Sequence, residues 1–154
     1  MSVEDEVRNL IGAYCNEVTS ADPARWIANW LPDATWGIPG PGRIVGRDAI
    51  LDHFTSIRTG YVLCVQEVVS LTISVDGPDR ASARAYVREL QWKTVDAELR
   101  HSELIGWYDD RIARDADGAL RFAERDFTLL ASSPLPWEGR LHRKAYELNA
   151  SGSA

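Results

Sequence analysis

From residue 61 onward the sequence alternates long strand-like segments with very short polar links, a pattern that few architectures accept. Segments 61–75, 80–93, 98–114 and 119–130 are rich in β-branched and aromatic residues, and the links between them are "DGPD", "TVDA" and "DADG". Two of the links contain Asp-Gly, the dipeptide that most readily supplies the left-handed backbone of a tight hairpin. Segments joined in this way form an antiparallel meander. A meander must bury one of its faces, and the residues before Gly60 supply what covers it.

Those earlier residues read mainly as helices. In segment 3–19, Val7, Leu10, Ile11, Tyr14 and Val18 recur at steps of three and four, which lays one apolar stripe along a helix. Asp22 and Pro23 open a second helix, the first as its cap and the second at its first position. Trp26 and Trp30, four apart, share a face of that helix, and Pro32 ends it. "ATWGI" then reads as a strand and "GRDAILDHFTSI" as a third helix with Ala49, Ile50 and Phe54 inward. The expected class is α+β, with three N-terminal helices packed on a curved, mainly antiparallel sheet. One domain is expected over residues 1–131. Residues 132–154 read as a tail, in which "SSPLPWEGRLHRKAYEL" packs over an edge and "NASGSA" is loose.

The segment "WGIPGPGRIVG", between strand and third helix, holds more Gly and Pro than a plain turn needs. It is expected to form the rim of a pocket. Six tryptophans in a chain of 154 residues fit such a pocket, because aromatic rings supply both buried area and apolar walls. Net charge is −6, which argues against a nucleic-acid surface built of clustered Lys and Arg. No apolar run approaches the ~18 residues of a membrane span. The acidic opening "MSVEDEVRNL" has no signal-peptide core, and Cys15 and Cys64 fall in different elements. Reduced thiols and a cytoplasmic location are therefore expected.

Candidate chemistry comes from strand parity. In "RASARAYVRELQWK" the small apolar face is Ala81, Ala83, Ala85 and Val87. If that face meets the helices, Glu89 and Gln91 continue it into the pocket. The opposite parity would put Arg88, Leu90 and Trp92 inside. A carboxyl group walled by aromatic rings is suited to proton transfer. His101 and Glu103 share a face of the next strand and form a second candidate acid–base pair. His53 reads as a surface or helix-end residue, and His142 as part of a lid. The three histidines lack ligand spacing, so no metal site is expected. No P-loop, dinucleotide fingerprint, G-x-S-x-G or C-x-x-C is present, and no cofactor is expected.

The motifs "YCNEVTSAD", "WLPDATW", "GRDAI", "DRASARAYV", "GWYDD" and "DGALRFAERDF" follow one another across most of residues 7–130. In order and spacing the chain resembles the SnoaL-like branch of the nuclear-transport-factor-2-like superfamily. The resemblance implies a cone-shaped half-barrel with a deep apolar pocket between helices and sheet, often dimeric through the outer face of the sheet. Ketosteroid isomerase, scytalone dehydratase, hexachlorocyclohexane dehydrochlorinase and polyketide cyclases share this fold with non-catalytic modules. The acid–base Asp and His of the dehydratase-like relatives fall on Thr19 and Gln66. The Asp of the isomerase-like relatives falls on Ile38, and their second acid near Gly106. Their oxyanion-binding Tyr falls on Tyr14. The known pairs are thus broken. The register of the family points Ser102, Leu104, Gly106 and Tyr108 inward and His101 outward, to a dimer face. Arg125 matches a position that is commonly Arg, able to pair with Glu89 or Glu124 or to bind an anionic group.

Together these readings lead to a cofactor-independent cyclase, isomerase or lyase. It would act on an apolar, ring-bearing small molecule of polyketide, terpenoid or steroid type. Tyr14, Glu89 and His101 are the candidate catalytic residues. Thr19, Trp36, Ile38, Gln66, Gln91, Leu104, Tyr108 and Arg125 are the candidate substrate contacts. The alternative is a non-catalytic binding module or an accessory subunit of an oxygenase, which the missing Asp and His favour.

Overall fold

The computed structural model describes residues 1–135 and 139–150. Helix α1 (Val3–Ser20) starts at a capping box in which Ser2 and Asp5 satisfy each other's backbone donors. Its buried residues are the expected stripe, Val7, Leu10, Ile11, Tyr14 and Val18, joined by Cys15 and Glu17. Helix α2 (Pro23–Ile27) begins as expected, with the Asp22 side chain accepting from the Arg25 backbone N–H. It is shorter than expected. Trp30 does not continue it but opens strand β1 (Trp30–Ile38), so Trp26 and Trp30 belong to different elements. Their rings still meet at 5.4 Å, because the chain folds back between them.

The rim segment is more regular than a loop. Strand β2 (Gly42–Val45) pairs antiparallel with β1 and sets Ile44 opposite Trp36. Gly40 and Gly42 hold φ of 95° and 78°, left-handed values that a β-branched residue would resist, and they turn this hairpin. Helix α3 (Arg47–Ile57) follows and buries Ile50 and Phe54. The Phe54 ring stacks on Trp26 at 3.8 Å and 10°.

Strands β3 (Tyr61–Val75), β4 (Arg80–Val95), β5 (Glu98–Arg114) and β6 (Leu120–Leu135) form the meander. β6 also pairs parallel with β1, and the sheet order is β2-β1-β6-β5-β4-β3. The sheet is curved and does not close. The link "TVDA" makes its turn with Asp96 and Ala97, both at positive φ, in place of a glycine. β6 continues to Leu135, so the sheet reaches past the expected domain end at residue 131. The strand keeps gaining ladder hydrogen bonds there, with Leu135 opposite His101. Helix α4 (Arg143–Ala150) then packs against β3 and α1. It takes in the start of the expected loose end, and residues 151–154 lie outside the described residues.

The core lies between the helices and the inner face of the sheet. Trp26 and Trp30 are fully buried there with Phe122, Val7 and Ile50. Ala81, Ala83, Ala85 and Val87 are all buried, so the expected parity of β4 holds. Small residues at these positions let α1 and the aromatic cluster approach the sheet closely. No helix among the described residues is long and apolar enough to cross a membrane.

Candidate functional site

From Val87 outward, a cavity of about 360 Å³ lies between the inner face of the sheet and helices α1 and α3. That volume is typical of small-molecule sites. β1 and the rim hairpin contribute Trp36, Ile38, Pro39 and Pro41; α3 and the turn after it contribute His53, Phe54, Ile57 and Arg58. The sheet contributes Tyr61, Cys64, Gln66, Glu89, Gln91, Leu104, Tyr108, Phe127 and Leu129, while Tyr14 and Val18 reach in from α1. The rim loop therefore borders the cavity, as its Gly and Pro content implied.

Polar groups in the cavity form one connected chain. The Ser102 hydroxyl donates to Gln91 Oε1 at 3.0 Å, and Gln91 Nε2 donates to Glu89 Oε1. Gln66 Nε2 donates to Glu89 Oε2 at 2.6 Å and also lies 3.3 Å from the Tyr108 hydroxyl. The Tyr108 and Tyr14 hydroxyls are 3.4 Å apart. Because Gln66 already donates to Tyr108, the Tyr108 proton is available to Tyr14 or to a ligand oxygen. Each oxygen of Glu89 accepts one N–H and keeps lone-pair capacity for a proton.

Burial pushes the Tyr108 hydroxyl up to about 12, with Arg125 opposing, and pushes Tyr14 well above the ordinary tyrosine value. Both therefore stay protonated donors at neutral pH. Cys64 is also raised well above the ordinary thiol value, first by burial and then by the Glu89 charge, with Arg58 opposing. The thiol stays neutral between those two opposite charges.

Under the tyrosines lies a second polar unit that the sequence reading did not find. Arg125 and Asp110 are both fully buried, with Nε and Oδ1 3.2 Å apart. The contact is ionic and lies outside hydrogen-bond angles. The guanidinium carbon sits 4.0, 3.8 and 4.3 Å from the ring centres of Tyr14, Tyr108 and Phe122. Burial raises the Asp110 carboxyl to about 6, and the Arg125 charge opposes the rise. Arg125 does not reach the cavity. It pairs with Asp110 rather than Glu89 or Glu124, because the β5–β6 register sets Asp110 directly opposite it.

Of the candidate catalytic residues, Tyr14 and Glu89 meet in this cavity and His101 does not line it. His101 lies on the other face of β5, its ring centre 4.5 Å from that of Trp92 and its Nδ1 3.1 Å from the Gln91 carbonyl. Of the candidate substrate contacts, Trp36, Ile38, Gln66, Gln91, Leu104 and Tyr108 line the cavity. Thr19 does not; its hydroxyl donates back to the Cys15 carbonyl at 3.3 Å, four residues earlier on the same helix. His53, expected to have a surface or helix-end role, lines the cavity, its ring centre 5.8 Å from that of Trp36. Arg58 carried no sequence signal, since it follows the last periodic residue of its helix. Asp110 did carry one, because it continues the inward parity of Leu104 and Tyr108. Among the described residues no three His, Cys, Asp or Glu side chains cluster closely enough to hold a metal ion.

A family model described as the SnoaL-like domain matches residues 1–126. A type 2 hexachlorocyclohexane dehydrochlorinase, LinA, superposes with a TM-score of 0.79 at 18% identity, over 91% of this chain and 93% of that one. A candidate scytalone dehydratase from Novosphingobium aromaticivorans gives 0.77 at 17% identity, over 90% and 95%. A type 3 LinA dehydrochlorinase from Novosphingobium barchaimii gives 0.77 at 16% identity, over 90% and 94%. At these identities the likeness is one of fold. No curated protein matches the sequence at a significant level.

Proposed function

Because the chain belongs to the SnoaL-like domain family, we propose that it is an isomerase, cyclase or lyase working with its own side chains on an apolar, ring-bearing small molecule. The observation that carries this reading is an ionisable group, Glu89, inside an aromatic cavity and joined through Gln66 to the hydroxyls of Tyr108 and Tyr14. Trp36, Phe54 and Phe127 offer ring faces that hold a flat substrate. A Glu89 oxygen takes a proton from carbon next to a carbonyl, and the electron pair moves onto the carbonyl oxygen. Tyr108, or Tyr14 beside it, donates a hydrogen bond to that oxyanion. Return of the proton at another carbon is isomerisation, expulsion of a leaving group is elimination, and internal attack on a second carbonyl is cyclisation. The cavity walls hold the substrate in the folded shape that ring closure needs.

A second copy is proposed to pack on the outer sheet face, where Tyr86, Ile105 and Leu130 are exposed large side chains. Cys15 and Cys64 are free and buried, which supports a reducing compartment.

The test is carbon-acid exchange. A panel of polyketide-, terpenoid- and steroid-like ketones is incubated with the protein in heavy water, and deuterium uptake is read by mass spectrometry. The parent is expected to exchange at least one member, and Glu89→Gln to lose that exchange at least a hundredfold while binding still quenches its tryptophan fluorescence. Binding without exchange or turnover in the parent would make the cavity a carrier or accessory site.

A further inference from the structure

We propose that the ligand of this cavity carries a carboxylate, and that Arg58 binds it. The inference rests on the reading that the cavity takes a small apolar molecule, and it adds the charge of that molecule. Arg58 follows α3 directly, and its backbone N–H donates to the Phe54 carbonyl at 3.3 Å, so the helix end holds its backbone in place. Its side chain lines the cavity. The guanidinium carbon lies 5.6 Å from the centre of the Phe54 ring and 5.7 Å from that of Tyr61. Nε is buried and has no hydrogen-bond partner.

Among the described residues no carboxylate lies within ion-pair distance of Arg58, although most arginines of this chain have one. Glu89 is the acid that lines the same cavity, but its oxygens accept from Gln66 and Gln91 and it makes no ion pair with Arg58. A partly desolvated guanidinium without an anion is costly, and an incoming carboxylate would relieve that cost with two parallel N–H···O bonds. The neighbourhood supports this. Lys93 Nζ lies 5.2 Å from the Tyr61 ring centre, so two cations sit beside one ring in a chain of net charge −6. Glu89 repels a second carboxylate, so the anionic end is directed to Arg58. The apolar body then lies along Trp36 and Phe127, with its reacting carbon toward Glu89. The substrate class is accordingly a ring-bearing organic acid rather than a neutral ketone alone.

Matched probes test this. Benzoate, 2-naphthoate and 9-anthracenecarboxylate are compared with their primary amides by tryptophan fluorescence and calorimetry at pH 7.5, on the parent, Arg58→Gln and Arg58→Lys. The parent is expected to prefer carboxylate to amide at least tenfold for the ring system that fits best. That preference should fall within threefold of unity in Arg58→Gln and be partly kept in Arg58→Lys. Thermal unfolding of each variant checks that it is folded. Equal binding of acid and amide by the parent overturns the carboxylate assignment and leaves the cavity reading intact. A preference that survives in Arg58→Gln overturns the role of Arg58. Failure of every acid and amide to bind removes the cavity reading, and the proposal with it.

Discussion

Replacing Arg125 by methionine should be among the most damaging single changes in this protein, and the damage should depend on pH. Arg125 is wholly buried, its guanidinium carbon is within 4.3 Å of three ring centres, and Asp110 at 3.2 Å is its counter-charge. Methionine keeps much of the contact with the rings but leaves the Asp110 carboxylate uncompensated in the core. Breaking a buried pair from one side typically costs about 3–5 kcal/mol, a large share of the roughly 5–15 kcal/mol that stabilises a domain. Urea unfolding followed by tryptophan fluorescence and circular dichroism at pH 7.5 measures it. Adding Asp110→Asn removes the stranded charge, so the double variant should recover at least about 2 kcal/mol of the loss. The folded value of Asp110, about 6, already lies above its unfolded value of 3.8. This group therefore favours the folded state most below pH 4, and that advantage is lost as pH rises through 6. Without Arg125 the folded value climbs further, so the deficit of Arg125→Met against the parent should widen from pH 5 to pH 8. A deficit independent of pH, or losses that simply add in the double variant, would refute the account of a charge pair held for mutual neutralisation.

Other expectations follow from the same geometry. Gly106→Ala should lose at least about 1–3 kcal/mol by overpacking and weaken ligand binding. Its new methyl group would lie 2.5 Å from the Phe127 ring and collide with the Thr128 carbonyl, and Phe127 lines the cavity; an unchanged melting temperature would contradict this. Alkaline titration at 295 nm should find Tyr108 protonated in the native protein past pH 11, because burial raises it to about 12. The folded value exceeds the unfolded one, so this residue's contribution to stability is complete below pH 10 and falls as pH rises through 12, by roughly 3 kcal/mol. Stability that rises over that interval would reverse the argument.

Several features of the site are local and were readable from the chain. The period-two run from Ala81 to Gln91 determined which β4 side chains face the helices, and Glu89 and Gln91 line the cavity where that run placed them. The spacing of Val7, Leu10, Ile11, Tyr14 and Val18 determined the buried face of α1. Pro39 to Gly42 marked the rim because that backbone needs fixed or left-handed φ. Each of these depends on a residue's neighbours within a few positions, and periodicity reports on nothing longer.

The remaining features depend on which strands meet and in what register. Trp30 shares a helical spacing with Trp26, but pairing with β6 across Phe122 draws it into β1. Arg125 had carboxylates within reach on paper, and only the β5–β6 ladder selected Asp110. That ladder slips between Ile105 and Gly106 and again between Arg111 and Ile112, shifts no local pattern encodes. Thr19 satisfies its hydroxyl on its own helix, and His101 follows the outward parity of β5. His53 and Arg58 enter the cavity because α3 packs against β1, β2 and α2, with Phe54 stacked on Trp26. Local pattern thus determined the faces of this protein's elements. Tertiary packing decided which charges those faces bring together, because burial and pairing are properties of residues far apart in the chain.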